Sequence, residues 1–372
     1  MDVAAVHSYE VLRGRVAAGE LRLILLLSPP RTGSTVLANA LAGRFQVDAL
    51  LTEPAAQQNL PRDDRVQETF KLIAGTASDL ASRASSLRPA VVLVKEISQH
   101  IGPDNEWRAW RGLFEKTLVL VRSPILALES LIVMMLGLVE LMSGDAAQPE
   151  RWLTRAALDD WPAAVVGSWS SFIAHLKQTR EFRCLDEERL RSFWNQNPIF
   201  GMGSLQLDVW ANEARHGRLR YAPDEIQPYA GTPTSSLATL PADLRRPFDD
   251  RQFGWSALRD LWENTPTGDA SLAFVDFASV QDDPGRRLDA IGEFFAVAPR
   301  APDGPRLLSR SAYDTIGEAY RELLFGEARA RPAIAPGTRA PLSIECFPPF
   351  LQAQLRDAQA IHDRMKRDPR WI

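Results

Sequence analysis

The sequence contains little cysteine. Its 372 residues include two cysteines, Cys184 and Cys346, which excludes a disulfide scaffold, and no CxxC pair or Cys/His cluster suggests a zinc site. We therefore expect no bound metal ion. A low cysteine content is typical of proteins in a reducing compartment, so a cytoplasmic location is the expectation.

A long uninterrupted apolar run is also lacking. The longest apolar stretch, Ile125–Met142, carries Glu129, Ser130 and Glu140, and these polar residues favour a buried helix over a membrane span. The first residues, Met1–Glu20, mix acidic and basic side chains and contain no apolar core of a secretory signal. The sequence therefore predicts no membrane-spanning segment.

No charge of one sign dominates the chain. Lysine and arginine number 43 and aspartate and glutamate 47, a net charge of -4. This balance gives no general attraction to nucleic acid or anionic membranes, so we expect no nucleic-acid partner, and an anion site must be local. A hydrophobic content of 45% predicts an ordinary globular protein. We expect a single domain over residues 1–372.

Short apolar runs followed by polar turns recur along the chain, and they predict buried strands of a parallel sheet. These runs are Leu21–Leu27, Val47–Leu51, Ala90–Val94, Thr117–Val121 and Ser271–Phe277. The predicted helices are Ser34–Ala42 with a stop at Gly43, Ser123 to about Met142, Asp283 to about Phe295, and Pro349 to Arg367. Alternating strands and helices predict an α/β fold, a parallel sheet flanked by helices.

A polar turn with the sequence SPPRTGST, Ser28–Thr35, follows the first predicted strand. A loop between a buried strand and a helix N-terminus binds anions, because free backbone N–H groups and the helix dipole point at it. Gly33 permits close approach of the backbone, and Arg31 supplies a positively charged donor fork. Ser34 and Thr35 add hydroxyl donors. The Walker A pattern GxxxxGK[ST] is absent, and with it the lysine that contacts β- and γ-phosphates.

The segment Leu21–Leu41, with its stretch LLLSPPRTGSTVLANAL, resembles the 5'-phosphosulfate loop of sulfotransferases that use 3'-phosphoadenosine-5'-phosphosulfate (PAPS). It is similar to the arginine form of the loop found in tyrosylprotein and bacterial members. The resemblance implies a P-loop-like sheet and PAPS as the cofactor. The residues that it implies for binding the 5'-phosphosulfate are Pro30, Arg31, Thr32, Gly33, Ser34 and Thr35.

A second stretch, Val119–Pro124 with the sequence VLVRSP, places Arg122 at the end of a strand, and Ser130 follows eight residues later. In the sulfotransferase family an arginine, a nearby proline and a serine at this spacing hold the 3'-phosphate of PAPS. The resemblance therefore implies this role for Arg122 and Ser130, and arginine can pair with phosphate through two parallel hydrogen bonds. Ser123 stands where the family has aspartate. A structural salt bridge is the alternative role for Arg122.

Sulfuryl transfer to a hydroxyl is an in-line displacement that needs cations on the leaving side and a base for the acceptor proton. Arg31 and Lys95, the latter at the end of a predicted strand, are the candidate cations. Tyrosylprotein and some bacterial sulfotransferases place a catalytic glutamate almost where Glu53 lies, so Glu53 is the favoured base. The histidine of the family's Lys-x-His pattern is absent here, and His100 and Glu96 remain the alternatives. Ordinary roles, such as helix capping for Glu53, are also open.

The sequence thus predicts a PAPS-dependent sulfotransferase that acts on a hydroxyl of a small-molecule acceptor and releases adenosine 3',5'-bisphosphate. The Ala- and Arg-rich composition favours a compound of secondary metabolism as the acceptor. Residues from about 145 to 265 are rich in tryptophan, and we interpret them as a mostly helical insertion that covers the acceptor site or simply packs on the sheet. A nucleotide-dependent kinase on a related fold and a non-catalytic binding protein are the alternatives. The sequence does not specify an oligomeric state.

Overall fold

A six-stranded parallel sheet lies at the centre of the fold. The computed structural model describes residues 3–55, 62–83, 88–98, 112–128, 130, 254–302, 306–311, 334, 343–346 and 349–372. The strands are β1 (Leu21–Ser28), β2 (Ala49–Thr52), β3 (Ala90–Ile97), β4 (Lys116–Val121), β5 (Leu272–Asp276) and β6 (Leu308–Ser311). Their order is β5-β4-β1-β3-β2-β6, with all pairings parallel. The predicted parallel α/β sheet is confirmed.

Helices cover both faces of the sheet. The helices within the described residues are α1 (Val3–Ala17), α2 (Ser34–Arg44), α3 (Arg62–Arg83), α4 (Trp255–Glu263), α5 (Phe277–Asp282), α6 (Pro284–Phe295) and α7 (Pro349–Met365). Ile24 and Leu26 of β1 belong to one apolar core with residues of α2, α5 and α6. The odd positions Leu23 and Leu25 are fully buried as well. Because side chains alternate along a strand, these residues face the opposite side, where α1 packs on β1 and α3 on β3.

The boundaries of several elements differ from the sequence predictions. The predicted stop of α2 at Gly43 is wrong, since the helix runs to Arg44. Phe45 sets this end: its N–H donates to Leu41 O at 2.9 Å, and its buried ring packs so closely on Gly292 that a Cβ there would lie 2.4 Å from the ring. The predicted start of α6 is confirmed, because the Asp283 carboxylate accepts from Arg286 N at 3.1 Å.

The strand order reverses the direction of the chain connections at β1 and β3. The strand that follows β1 in the chain, β2, lies beyond β3, whereas the strand that follows β3, β4, lies on the far side of β1. The connections of the adjacent strands β1 and β3 therefore leave in opposite directions. In open parallel sheets, ligands bind outside the carboxyl ends of the strands at such a point.

The last residues of the chain are hydrogen-bonded to the backbone of β5. Phe274 N donates to Arg370 O at 3.1 Å, and Ile372 N donates to Phe274 O at 2.9 Å. The Asp368 carboxylate accepts from the Arg370 guanidinium at 2.7 Å and from the Trp262 indole N–H at 2.6 Å. The hydrogen bond from Arg370 lowers the pKa of Asp368 to about 2.

The chain divides into two compact units. The first comprises Met1–Arg122, Gly254–Arg339 and His362–Ile372, and the second Ser123–Phe253 and Ala340–Ile361. In the second unit, residues 124–128 and 130 are helical. The predicted continuation of this helix to Met142, and the predicted insertion from about 145 up to residue 253, lie outside the described residues. Among the described residues, no helix is both long and apolar enough to cross a membrane.

Candidate functional site

The connection between β1 and α2 forms a tight loop at the carboxyl edge of the sheet. Arg31, with φ 61°, and Gly33, with φ 88°, adopt the left-handed backbone conformation. Thr32 is buried, and its hydroxyl donates to Pro29 O at 3.0 Å, which closes the turn. Gly33 is the N-cap of α2 and has no side chain that could cap the helix. The first N–H groups of α2 therefore have no partner within the helix and can bind an anion.

Gly33 is required at its position for two reasons. Its φ of 88° is one that residues with a Cβ rarely adopt. A Cβ at this position would also lie 2.4 Å from Cζ of the Phe277 ring. The sequence predicted that Gly33 permits close approach of the backbone to a ligand, and in the structure the Phe277 ring occupies the space that a Cβ at Gly33 would need.

Arg122 follows β4 directly and contacts the same loop. One guanidinium nitrogen donates to Arg31 O at 3.3 Å, and the guanidinium carbon lies 5.9 Å from the centroid of the Phe277 ring. The two arginines that the sequence assigned to different phosphates are thus joined by a side chain to backbone hydrogen bond. Both side chains are half-buried, so a ligand at the loop would meet positive charge with reduced screening by solvent.

Lys95 and Glu53 form a buried ion pair. Their side chains are 2% and 5% exposed, and Lys95 Nζ donates to Glu53 Oε1. Lys95 lies on the same face of β3 as Leu93, which belongs to the core beneath α2. If the side chains of β2 kept alternating past its end, Glu53 would point, like Leu51, to the face opposite Lys95. The left-handed φ of 51° at Glu53 breaks the alternation, which allows its carboxylate to reach Lys95.

Glu53 carries backbone strain as well as a buried charge. A non-glycine residue in the left-handed region costs about 1–3 kcal/mol and persists only where its surroundings hold it. Here Glu53 N donates to Lys95 O at 2.7 Å, so the pairing of β2 with β3 continues one residue past β2. Strain of this kind is concentrated at functional sites, which makes the pair a candidate for chemistry.

Glu96 occupies a different position from Glu53. Its fully buried carboxylate accepts from Ala55 N at 2.8 Å and from Ile97 N at 2.9 Å. These two bonds fix the chain after β2 to the end of β3. Glu96 therefore accepts hydrogen bonds from backbone N–H groups on both sides of this junction.

Two further predicted residues, Ser130 and His100, lie outside the described part of the first unit. Ser130 is helical and half-buried but belongs to the second unit, whereas Arg122 belongs to the first. His100 lies outside the described residues. Within the described part of the chain, no group of three or more His, Cys, Asp or Glu side chains is arranged to hold a metal ion.

Two residues of the site escaped the sequence prediction. Phe277 contacts both the glycine of the loop and Arg122. The sequence prediction placed it at the end of the apolar run Ser271–Phe277, whereas the strand ends at Asp276 and Phe277 begins α5. Ser28 ends the otherwise apolar strand β1; it is fully buried, and its hydroxyl has no hydrogen-bond partner among the described residues. A hydroxyl at the end of a continuous apolar run was the signal that could have identified it.

No protein-family model matches the chain, and no curated protein matches it. Function is therefore inferred from the residues and their geometry.

Proposed function

We propose that the protein is a PAPS-dependent sulfotransferase with a P-loop-like sheet, which transfers a sulfuryl group to a hydroxyl of a small-molecule acceptor. The observation that carries the proposal is the hydrogen bond from Arg122 to Arg31 O at the N-terminus of α2. Two arginines and a helix N-terminus at the carboxyl edge of a parallel sheet suit a ligand with more than one anionic group.

The residues of the loop fit the 5' end of such a cofactor. The left-handed Gly33 leaves the N–H groups at the start of α2 open to an oxyanion, and Arg31 adds a full positive charge. A lysine of the Walker type is absent from the loop, which fits a phosphosulfate better than a triphosphate. When bound, PAPS supplies the sulfuryl group and a phosphate as the leaving group.

The buried pair of Glu53 and Lys95 supplies the acid–base chemistry. In the transfer, a bond forms between the acceptor oxygen and sulfur while the bond from sulfur to the 5'-phosphate oxygen breaks. Glu53 Oε accepts the proton of the acceptor hydroxyl, and Lys95 holds the carboxylate in position and balances its charge. Arg31 and the N–H groups of α2 stabilise the negative charge that develops on the leaving phosphate. Burial of the pair keeps water from competing with the acceptor.

Binding of adenosine 3',5'-bisphosphate tests the proposal directly. At 100 times its Kd this product should stabilise the folded state by about 2.7 kcal/mol and raise Tm. It should bind more tightly than 5'-AMP, which lacks the 3'-phosphate, and more tightly than Mg·ATP. Absence of binding at millimolar concentration by calorimetry would refute the proposal, and tighter binding of Mg·ATP would favour a kinase.

A pair of arginine variants sharpens this test. Arg122→Ala should weaken binding of adenosine 3',5'-bisphosphate about tenfold or more, the value of one hydrogen bond to a charged group. Arg44→Ala is the matched control, because Arg44 pairs with Asp289 on an exposed surface at 2.6 Å. Equal affinities of the two variants would contradict a role for Arg122 in the site.

A further inference from the structure

Ser28 has an unusual environment for a serine. It is fully buried, and within the described part of the chain its hydroxyl has no hydrogen-bond partner. A buried hydroxyl without a partner loses its hydrogen bonds to water and gains none in return, so such groups are rare in folded proteins. A buried hydroxyl of this kind requires an explanation, and one explanation is that it binds a ligand.

The position of Ser28 connects it to the anion loop. It is the last residue of β1 and is followed directly by the turn that leads to α2. Ile24 and Leu26 belong to the core beneath α2, together with Leu37 and Leu41 of that helix. Because side chains alternate along a strand, Ser28 lies on this same face, at the end where α2 begins. The helix N-terminus attracts negative charge and repels cations there.

We propose that Ser28 is a ligand of the anion bound at this loop, and that its hydroxyl donates a hydrogen bond to an oxygen of a phosphate, pyrophosphate or phosphosulfate group. A serine hydroxyl provides one donor, which adds to the N–H groups of α2 and to Arg31. The inference rests on the proposed function for the identity of the anion, since the 5'-phosphosulfate of PAPS is then the group bound. From the sequence, Ser28 belongs to the polar turn Ser28–Thr35, but the predicted binding roles begin only at Pro30.

The proposal predicts that Ser28→Ala lowers affinity for the anion without lowering the stability of the protein. Ser28→Ala removes a hydroxyl that has no partner, so the free protein should keep its Tm or gain slightly. Affinity for the anion should fall by about tenfold to a hundredfold, the value of one hydrogen bond to a charged group. If Ser28 had a purely structural role, its replacement by alanine would lower the stability of the protein.

Ser271 is the matched control. It immediately precedes β5 and so lies at the amino edge of the parallel sheet, opposite the loop. Its hydroxyl is hydrogen-bonded, donating to Asp269 Oδ1 at 2.6 Å. Ser271→Ala should therefore lower Tm and leave anion affinity unchanged, the reverse of the result expected for Ser28→Ala.

The experiment measures Tm and calorimetric affinity for the wild type and both variants, with adenosine 3',5'-bisphosphate and inorganic pyrophosphate as the two probes. A loss of affinity for either probe in Ser28→Ala, at unchanged or raised Tm, supports the proposal. A lowered Tm or failure to fold would show that the hydroxyl has a structural partner and would overturn it, as would unchanged affinity for both probes.

The two probes separate this proposal from the proposed function. Suppose that pyrophosphate binds in a Ser28-dependent way and that adenosine 3',5'-bisphosphate binds no more tightly than pyrophosphate. The anion site then stands and the sulfotransferase assignment fails. If adenosine 3',5'-bisphosphate binds equally to the wild type and to Ser28→Ala, the assignment stands and the role of Ser28 fails. Binding of neither probe to the wild type would overturn both.

Discussion

Replacing Lys95 with methionine should destabilise the protein by about 3–5 kcal/mol, because it removes the positive charge that pairs with the buried Glu53 carboxylate. The side chains of the pair are 2% and 5% exposed, so water offers little compensation. Glu53→Leu should have a comparable cost, since it leaves the Lys95 ammonium buried alone. The double variant Glu53→Leu/Lys95→Met replaces the pair with apolar groups of similar volume, and such exchanges are often neutral or stabilising. It should therefore be more stable than either single variant.

The assay is urea unfolding followed by circular dichroism at pH 7. Lys71→Met is the matched control, because Lys71 and Glu68 form a 2.6 Å pair whose side chains are 42% and 40% exposed, and exposed pairs contribute about 0–1 kcal/mol. A loss for Lys95→Met no larger than that for Lys71→Met would refute the reasoning, as would a double variant whose loss equals the sum of the two single losses. The double variant should be folded yet inactive, which would show that the charges serve function rather than stability.

Gly33→Ala should cost at least the strain of a left-handed φ, about 1–3 kcal/mol, because the added Cβ also meets the Phe277 ring, and it should weaken binding of adenosine 3',5'-bisphosphate. Thermal denaturation checks it against Gly43→Ala, where a Cβ meets nothing within 4 Å. Glu53→Gln should reduce turnover about 10²–10⁴-fold with nearly unchanged product affinity, measured as release of adenosine 3',5'-bisphosphate from PAPS with a panel of phenols and alcohols; unchanged turnover would move the base to His100 or Glu96. The pKa of Asp368 is about 2, below its usual 3.8, so its contribution of about 2 kcal/mol is present above pH 4 and lost as the pH falls toward 2. Asp368→Asn should remove that part of the pH dependence in urea unfolding.

Much of the central sheet was predictable because its strands are continuous apolar runs. β1, β3, β4 and β5 are buried on both faces, and a run such as AVVLV has few other interpretations. β6 was missed because Leu308–Ser311 (LSRS) is a polar edge strand. The end of α2 was misplaced because the prediction relied on the general tendency of glycine to end helices. The actual end depends on the contact of Phe45 with Gly292, which joins residues far apart in the sequence.

The candidate site was predictable only in part, for a related reason. The loop after β1 is contiguous, so its residues and its glycine could be recognised together. The pairing of Glu53 with Lys95 depends on the register of β2 with β3 and on the left-handed backbone conformation of Glu53. Neither can be recognised from the sequence. Alternation even predicts opposite faces for the two side chains, so the exception at Glu53 is the informative feature.

The geometry of the sheet explains why these polar residues share one edge. On the face beneath α2, the last apolar core residue in each of β1, β3, β4 and β5 is followed two positions later by a residue that belongs to the site or packs on it. The successions are Leu26 to Ser28, Leu93 to Lys95, Leu120 to Arg122 and Val275 to Phe277. Since parallel strands end at a common edge and their side chains repeat every second residue, the core of that face continues directly into the site. Glu53 is the member that does not follow this repeat, and it joins the site only through its strained backbone, which is why the buried pair is the feature whose disruption we expect to be most informative.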